Sequence, residues 1–370
     1  MHLQDLAIYE FKNYEEAHFH FSPHINLITG ENGSGKTNLL DAIYHICITK
    51  SAFESTDKQH IRLGSLYYIL KAQMKQAEQT YEILCALQNG QKKQFTVNGV
   101  GYEKISQHIG RFPIVFITPY DDELIREGSE VRRTFFDTML CQVDADYLES
   151  LSRYKNTLKQ RNAALKQFAE QGRTDRELLG YYDQIILTEG ASIAARRNVM
   201  IEQFSPFLQT DYAFLAQDEQ VSIGYQSDFL HPQYKTLFGQ ALAKDLALQR
   251  TTMGVHRDDF IFQIEGQLLK KFGSQGQQKS FIIALKTAQF ELMRSLKNHT
   301  PMLLLDDIFD KLDDNRIQQL VKMIDESRFG QIFITDARPE RSRFFLENIS
   351  KEKQIFQLQK KQASYENTPE

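Results

Sequence analysis

The stretch Gly30-Glu31-Asn32-Gly33-Ser34-Gly35-Lys36-Thr37 constrains this chain more than any other. It fits G-x-x-x-x-G-K-[ST], the phosphate-binding P-loop, at every fixed position. Ile25-Asn26-Leu27-Ile28-Thr29 precedes it, a short apolar run with the character of a buried strand. Leu39, Ala42, Ile43 and Ile46 follow at helical spacing. A strand, a glycine loop and a helix in that order aim bare backbone N–H groups at one point. The helix N-terminus adds about half a positive charge there, and glycines let the chain curl around phosphate oxygens with no Cβ in the way. In such a loop Lys36 reaches the β- and γ-phosphates of ATP, and the Thr37 hydroxyl ligates Mg²⁺.

The second half of the same chemistry stands far along the chain. Pro301-Met302-Leu303-Leu304-Leu305-Asp306-Asp307 is an apolar strand ending in two acids, the form of a Walker B strand. A buried parallel strand delivers carboxylates at its C-terminal end, where ligands bind in open α/β sheets. Asp306 is the candidate for holding Mg²⁺, and Asp307 the candidate for orienting or deprotonating the attacking water. Leu312-Asp313 follows in a turn, with Asp313 in the D-loop position, and Gln331-Ile332-Phe333-Ile334-Thr335 reads as a further core strand ending at Asp336. Ser274-Gln275-Gly276-Gln277 opens a strong helix on which Phe281, Leu285, Ala288 and Leu292 share one face. Read alone, that turn is a helix N-cap. Beside Walker A and Walker B it is a second phosphate-binding terminus, of use only if two chains face each other across ATP, as in ABC-type ATPases.

Composition narrows the setting. At 370 residues the chain is long enough for two or three domains. No apolar stretch approaches the roughly 20 residues that cross a membrane, and the start Met1-His2-Leu3-Gln4-Asp5 has no signal-peptide character, so a cytoplasmic protein is expected. Cys47, Cys85 and Cys141 stand far apart, which argues against a disulfide framework or a zinc site. The histidines show no ligand spacing, so no metal beyond the nucleotide's Mg²⁺ is indicated. A formal net charge of −4 means that any DNA surface is a local patch. Residues 3–11 and 15–21 read as a hairpin, 67–87 and 94–100 as strand-rich with Asn89-Gly90 as a turn, and 112–117 as an apolar strand. From about Glu130 to Phe204 the pattern is helical. Between Arg153 and Arg197 nine Lys or Arg stand against five Asp or Glu. That excess is either a solvated helix face or a phosphate-contacting surface, with Arg161 and Arg197 the candidates in the second case. Strands return after Gln220, with 260–264 the clearest, and the tail Gln362–Glu370 is polar.

Three further stretches are more specific than the ATPase motifs: Arg132-Arg133-Thr134-Phe135-Phe136-Asp137, Leu158-Lys159-Gln160-Arg161-Asn162-Ala163 and Gly254-Val255-His256-Arg257-Asp258-Asp259. With Phe11-Lys12-Asn13-Tyr14 and the run from Val115 to Gly128, they make nearly the whole chain resemble the RecF family of bacterial recombination mediators, ABC/SMC-like ATPases. The chain departs from the family pattern at Ser51-Ala52-Phe53-Glu54, where relatives often have an aromatic residue or His followed by Arg, and at Val255, where Pro is usual. Its water-activating acid is Asp307, one methylene shorter than the Glu of most ABC ATPases. The resemblance implies an α/β fold: an ABC-type P-loop ATPase head split in sequence (1–118 and 251–370) with an inserted, mainly helical lobe (119–250). It also implies ATP and Mg²⁺ as cofactors, an ATP-dependent homodimer with slow hydrolysis, and binding to gapped DNA or single-strand/double-strand junctions. RecO and RecR would be the partners, with RecA loaded as the indirect result. Competing readings are the ATPase subunit of an ABC transporter, a small-molecule kinase, and an SMC-like tether, which the insertion is too short to supply with a coiled coil.

Overall fold

The computed structural model describes residues 1–54, 56–216, 219–297, 299–308, 313–326, 328–338, 340, 342, 344, 347, 349 and 351–359. Leu312 and the tail Gln362–Glu370 lie outside them. Strands β1 (His2–Phe11), β2 (Tyr14–His20) and β3 (Ile25–Gly30) lead into helix α1 (Lys36–Ile48). Strands β4 (Tyr67–Gln76), β5 (Gln79–Gln88), β6 (Gln94–Val97), β7 (Val100–Gly101) and β8 (Ile114–Ile117) follow. The chain then passes through helices α2 (Glu123–Arg126), α3 (Ser129–Val143), α4 (Ala145–Gln171) and α5 (Arg176–Leu215), strand β9 (Val221–Gln226), and helices α6 (Tyr234–Gln240) and α7 (Leu242–Leu248). Strands β10 (Asp259–Ile264) and β11 (Gln267–Leu268), helix α8 (Leu269–Phe272) and the long helix α9 (Gln275–Leu296) come next. Strand β12 (Met302–Leu305), the helix Asp314–Asp325, β13 (Ile332–Asp336) and β14 (Lys353–Leu358) complete the described elements.

These elements form two compact units, one of 1–121 with 285–370 and one of 122–284. The sequence reading places 251–284 with the head, whereas the strands and helices of that stretch fall in the second unit, and the second join lies inside α9. The physical reason is the pairing of β10 with β9, which a linear reading of motifs does not see.

The first unit holds two sheets. One is a five-stranded, all-parallel sheet in the order β14-β3-β13-β12-β8. Its inner strands are buried on both faces, as in a covered parallel sheet. The other is antiparallel, in the order β2-β1-β4-β5-β6-β7. Its strands alternate buried and exposed residues, as in Tyr68, Leu70, Ala72 and Met74 of β4. One hydrophobic core joins strands of both sheets to α1. Helix α1 is buried nearly all round, which is why its sequence carries so little polar surface. Gln331 staples the two layers: its amide donates to the carbonyls of Leu3 and Ser22, both at 2.8 Å, and accepts from Leu3 N at 2.7 Å. The expected Asn89-Gly90 turn lies in the longer β5–β6 connection. The β4–β5 hairpin is tight, closed by Ala77-Glu78 with Ala77 at φ 51°, and no turn-forming residue marks it. The edge strand β14 carries no signal of its own in the sequence, because its partner β3 lies more than 320 residues earlier.

In the second unit, Asp144 ends α3 and caps α4 by accepting from Tyr147 N at 2.9 Å. Gly172, at φ 64°, closes α4, and Asp175 caps α5. Helix α5 runs on through Pro206 to Leu215, past the expected end at Phe204, because Leu208, Asp211 and Tyr212 are buried beyond the proline.

This unit corrects the reading of Arg161 and Arg197 as DNA contacts. Both side chains are buried, at 0% and 1% exposure. Arg161 pairs with Asp183 at 2.6 Å and with Asp245 at 2.7 Å, and donates to Thr251 Oγ1 at 2.8 Å. Arg197 bridges Asp137 and Asp258, each at 2.8 Å, and donates to the Val255 carbonyl at 2.9 Å. Their charges are spent inside the fold and are not available to a phosphate backbone. The family-specific stretches quoted above meet at these arginines: Asp137, Arg161 and Asp258 come from three of them.

Two predictions follow from burial. Arg197→Ala leaves the buried Asp258 without its cation and Asp137 with only Lys155, 3.8 Å away, so denaturant titration should show a loss of about 3–5 kcal/mol. A solvated surface arginine would shift stability by no more than about 0.5 kcal/mol. In the first unit His108 is fully buried, with Nε2 2.8 Å from the Ile46 carbonyl and Nδ1 3.0 Å from the Tyr102 hydroxyl. Burial lowers its pKa from 6.5 to about 4. Between those values the unfolded chain binds the extra proton, so this stability is complete above about pH 6.5 and is lost as pH falls towards 4. The loss amounts to about 3 kcal/mol. Urea midpoints measured from pH 7.5 down to 4.5 should fall, and fall less in His108→Gln.

Candidate nucleotide site

The loop between β3 and α1 has the conformation its glycines allow. Gly30, Gly33 and Gly35 have φ of 155°, 83° and 105°, values that L side chains rarely adopt. A Cβ on Gly30 would stand 2.6 Å from the Leu358 carbonyl oxygen, and one on Gly35 would stand 2.6 Å from Asn13 Nδ2. The loop is therefore packed from both sides, by the end of β14 and by the β1–β2 turn. Tyr14 donates to the Gly35 carbonyl at 3.0 Å, and Asn38 donates to Asn13 at 2.6 Å. Helix α1 opens at Gly35 with no side-chain cap and no acid in its first turn, so its leading N–H groups are offered to an anion. The Ser34 hydroxyl is buried with no hydrogen-bond partner. The Lys36 ammonium folds back over its own loop, donating to the carbonyls of Gly30 at 2.8 Å and Glu31 at 3.2 Å. Glu31 and Asn32 are exposed at the loop's crest.

Opposite the loop stands the end of β12. The Thr37 hydroxyl lies 3.0 and 2.9 Å from the two oxygens of Asp306. The Thr335 hydroxyl, at the end of β13, donates to Asp306 at 2.7 Å and accepts from Asp307 N at 2.9 Å. Burial raises the Asp306 pKa and the Asp307 charge adds to the rise, while the bonds from Thr335 and Thr37 oppose it. Asp307 has φ 42°, a strained backbone for a non-glycine residue, of the kind that clusters at functional sites. The structure thus brings Thr37, Asp306 and Asp307 to one edge of the parallel sheet. An uncapped helix start, a buried orphan hydroxyl and a carboxylate facing a threonine hydroxyl fit a nucleoside triphosphate with its divalent ion: Thr37 and Asp306 would hold the metal, which supplies positive charge beside the phosphates.

Matching the whole chain to known families puts the RecF/RecN/SMC N-terminal domain on residues 2–363. The chain belongs to the RecF family. It is 45% identical over 357 residues to the DNA replication and repair protein RecF of Cytophaga hutchinsonii, covering 96% of this chain and 94% of the relative. It is 42% identical to the protein of the same name from Flavobacterium johnsoniae, covering 97% of this chain and 100% of that one. A solved structure of the recombination mediator protein RecF-ATP in the RecFOR pathway superposes with a TM-score of 0.89 at 26% identity, over 99% of this chain and 97% of that one. The ABC/SMC-type α/β ATPase head is therefore the fold of this chain.

The remaining motif residues, Ser274–Gln277 and Asp313, stand at helix starts. Ser274 caps α9 in a reciprocal box: Gln277 N donates to Ser274 Oγ at 3.2 Å, and Ser274 N donates to Gln277 Oε1 at 2.7 Å. Gln277 also donates to Glu219 at 2.7 Å. Ser274 and Gln275 are exposed, and Gly276 is half-buried. Asp313 caps the helix Asp314–Asp325, accepting from Arg316 N at 3.0 Å. Both readings of the 274–277 turn remain compatible with this geometry, since a hydroxyl that accepts a cap bond still has a proton to donate. The departure from the RecF pattern at Ser51–Glu54 has a structural account: the Ser51 hydroxyl donates to Asp41 at 2.7 Å, Ala52 N donates to it at 2.8 Å, and Lys12 pairs with the same carboxylate at 2.7 Å. Residue-level reading missed Thr335, Asn13 and Tyr14 as supports of the site. The signal for Thr335 was its place at the end of a core strand; the other two stood only in a family match.

Lys36→Ala should weaken ATP binding by about 1.5–3 kcal/mol, the range of a charge-assisted contact, read as a roughly 10- to 150-fold higher Kd in a calorimetric titration. Unchanged affinity would remove the loop from the site.

Proposed function

We propose that this chain is an ATP-switched DNA clamp that acts in replication and repair at gaps and single-strand/double-strand junctions, working with RecO and RecR to place RecA. The observation that carries the reading is the meeting of Thr37 with both oxygens of Asp306, the pairing that a P-loop and a Walker B acid make around the ion of a bound nucleotide. Family membership supports the DNA role, and the RecFOR pathway of the solved relative supports RecO and RecR as partners.

In this reading ATP joins two copies. The Gly30–Thr37 loop of one copy holds the triphosphate, Lys36 leaves its own carbonyls to pair with it, and Asp307 orients the water. The exposed Ser274 hydroxyl and the Gly276 and Gln277 backbone of the other copy complete the shell, with Asp313 beside the partner's site. A ligand shifts a monomer–dimer equilibrium only through contacts made in the dimer alone, and this turn supplies them. Loss of the γ-phosphate removes those contacts, and the clamp opens.

Light scattering with ATP and a gapped duplex tests the switch. Ser274→Arg should bind ATP normally, stay monomeric and fail to hold DNA. Asp307→Asn should dimerise with ATP and remain dimeric through an ADP chase. A Ser274→Arg protein that dimerises like the parent, or an Asp307→Asn dimer that dissociates as fast, sinks the two-copy mechanism.

A further inference from the structure

Three side chains of the first unit meet away from the phosphate loop. His45 stands in the third turn of α1, and Asp57 and His60 flank the short 3₁₀ turn Asp57–His60. At three residues per turn, Asp57 and His60 lie one above the other. Ligand-capable atoms of His45, Asp57 and His60 all lie within 4.8 Å of one another. Both histidines are buried, at 0% and 1% exposure. Neither ring nitrogen of His60 has a hydrogen-bond partner, and neither does Nδ1 of His45. Each such atom costs about 1–3 kcal/mol, so three in one cluster are not explained by packing alone.

The surroundings suit a metal ion. His45 Nε2 lies 3.3 Å from the Tyr68 hydroxyl, itself 3.8 Å from Cys85 Sγ. With Nε2–H donated to Tyr68, the Nδ1 lone pair of His45 is left for a ligand, the outer support that metal-bound imidazoles use. Asp57 brings the negative charge and shares it with Lys93, 2.8 Å away. Tetrahedral bonds of about 2.0–2.2 Å place ligands roughly 3.3–3.5 Å apart, so closure needs side-chain rotations on the order of 1 Å. Two imidazoles and one carboxylate select a borderline ion over the hard, oxygen-seeking Mg²⁺.

We propose that His45, Asp57 and His60 form a binding site for a late first-row divalent ion, with Zn²⁺ the best match and water in the fourth position. Such an ion ties the far half of α1, whose first residue is Lys36, to the turn that leads into β4. Spacing alone does not reveal it, because the single remote histidine is joined to the Asp-x-x-His pair only by the fold.

The test uses the full chain stripped with a chelator and titrated with CoCl₂. One Co²⁺ per chain should bind with the visible absorption of a tetrahedral ion, and ZnCl₂ should displace it. Asp306→Asn, which removes the carboxylate set against Thr37, should keep the band. His60→Gln should lose it and raise the Zn²⁺ Kd at least about tenfold; should that variant fail to fold, Asp57→Asn reads the same loss. A parent protein with no visible band, or a His60→Gln or Asp57→Asn protein that binds as much metal as the parent, overturns the site.

Discussion

The Asp306 carboxylate is the junction on which the head depends. It sits at the end of β12, nearly buried, and accepts hydroxyls from Thr37 at the start of α1 and from Thr335 at the end of β13. A buried carboxylate without donors is unfavourable, so these two threonines are as much a part of the site as the acid. The parallel order β14-β3-β13-β12-β8 makes the meeting possible, because all five strands end on the same edge. Thr335 also fixes Asp307 through its backbone N–H. One hydroxyl thus registers both acids against the neighbouring strand, and the phosphate loop is set against them by Thr37.

What was legible in the sequence was local. The Gly30–Thr37 loop announces itself because its glycines, lysine and flanking elements are contiguous, and the β12 acids because an apolar run ends in them. The failures have one physical origin, which is that partners distant in sequence decide the environment. A count of lysines and arginines between 153 and 197 cannot tell a solvated arginine from Arg197, whose partners Asp137 and Asp258 stand about 60 residues away on either side. The same holds for β14, which has a neighbour only when β3 is placed beside it, and for Asn13 and Tyr14, which touch the phosphate loop only after β1 and β2 fold back. Ala77-Glu78 turns a tight hairpin without a turn-forming residue because the pairing of β4 with β5 along their whole length imposes it.

The second unit shows how a family signature can be structural. The stretches around Asp137, Arg161 and Asp258, on which the resemblance to RecF rests in the sequence, here build buried ion pairs rather than a surface. Removing one member strands the others in a low-dielectric interior. The Ser274 turn lies in the same unit and serves two readings at once. Its capping box fixes the first turn of α9.

The strand order also sets a timetable for the newborn chain. The phosphate loop is made early, yet β3 lies between β13 and β14, whose residues follow it by about 300 positions. At ribosomal speeds of about 5–20 residues per second, the loop waits on the order of 15–60 s before its sheet can close. During that interval β3 is an apolar strand with both edges bare, the kind of segment that pairs with whatever is near. A site that forms only once the later strands have been made is built into this order of strands.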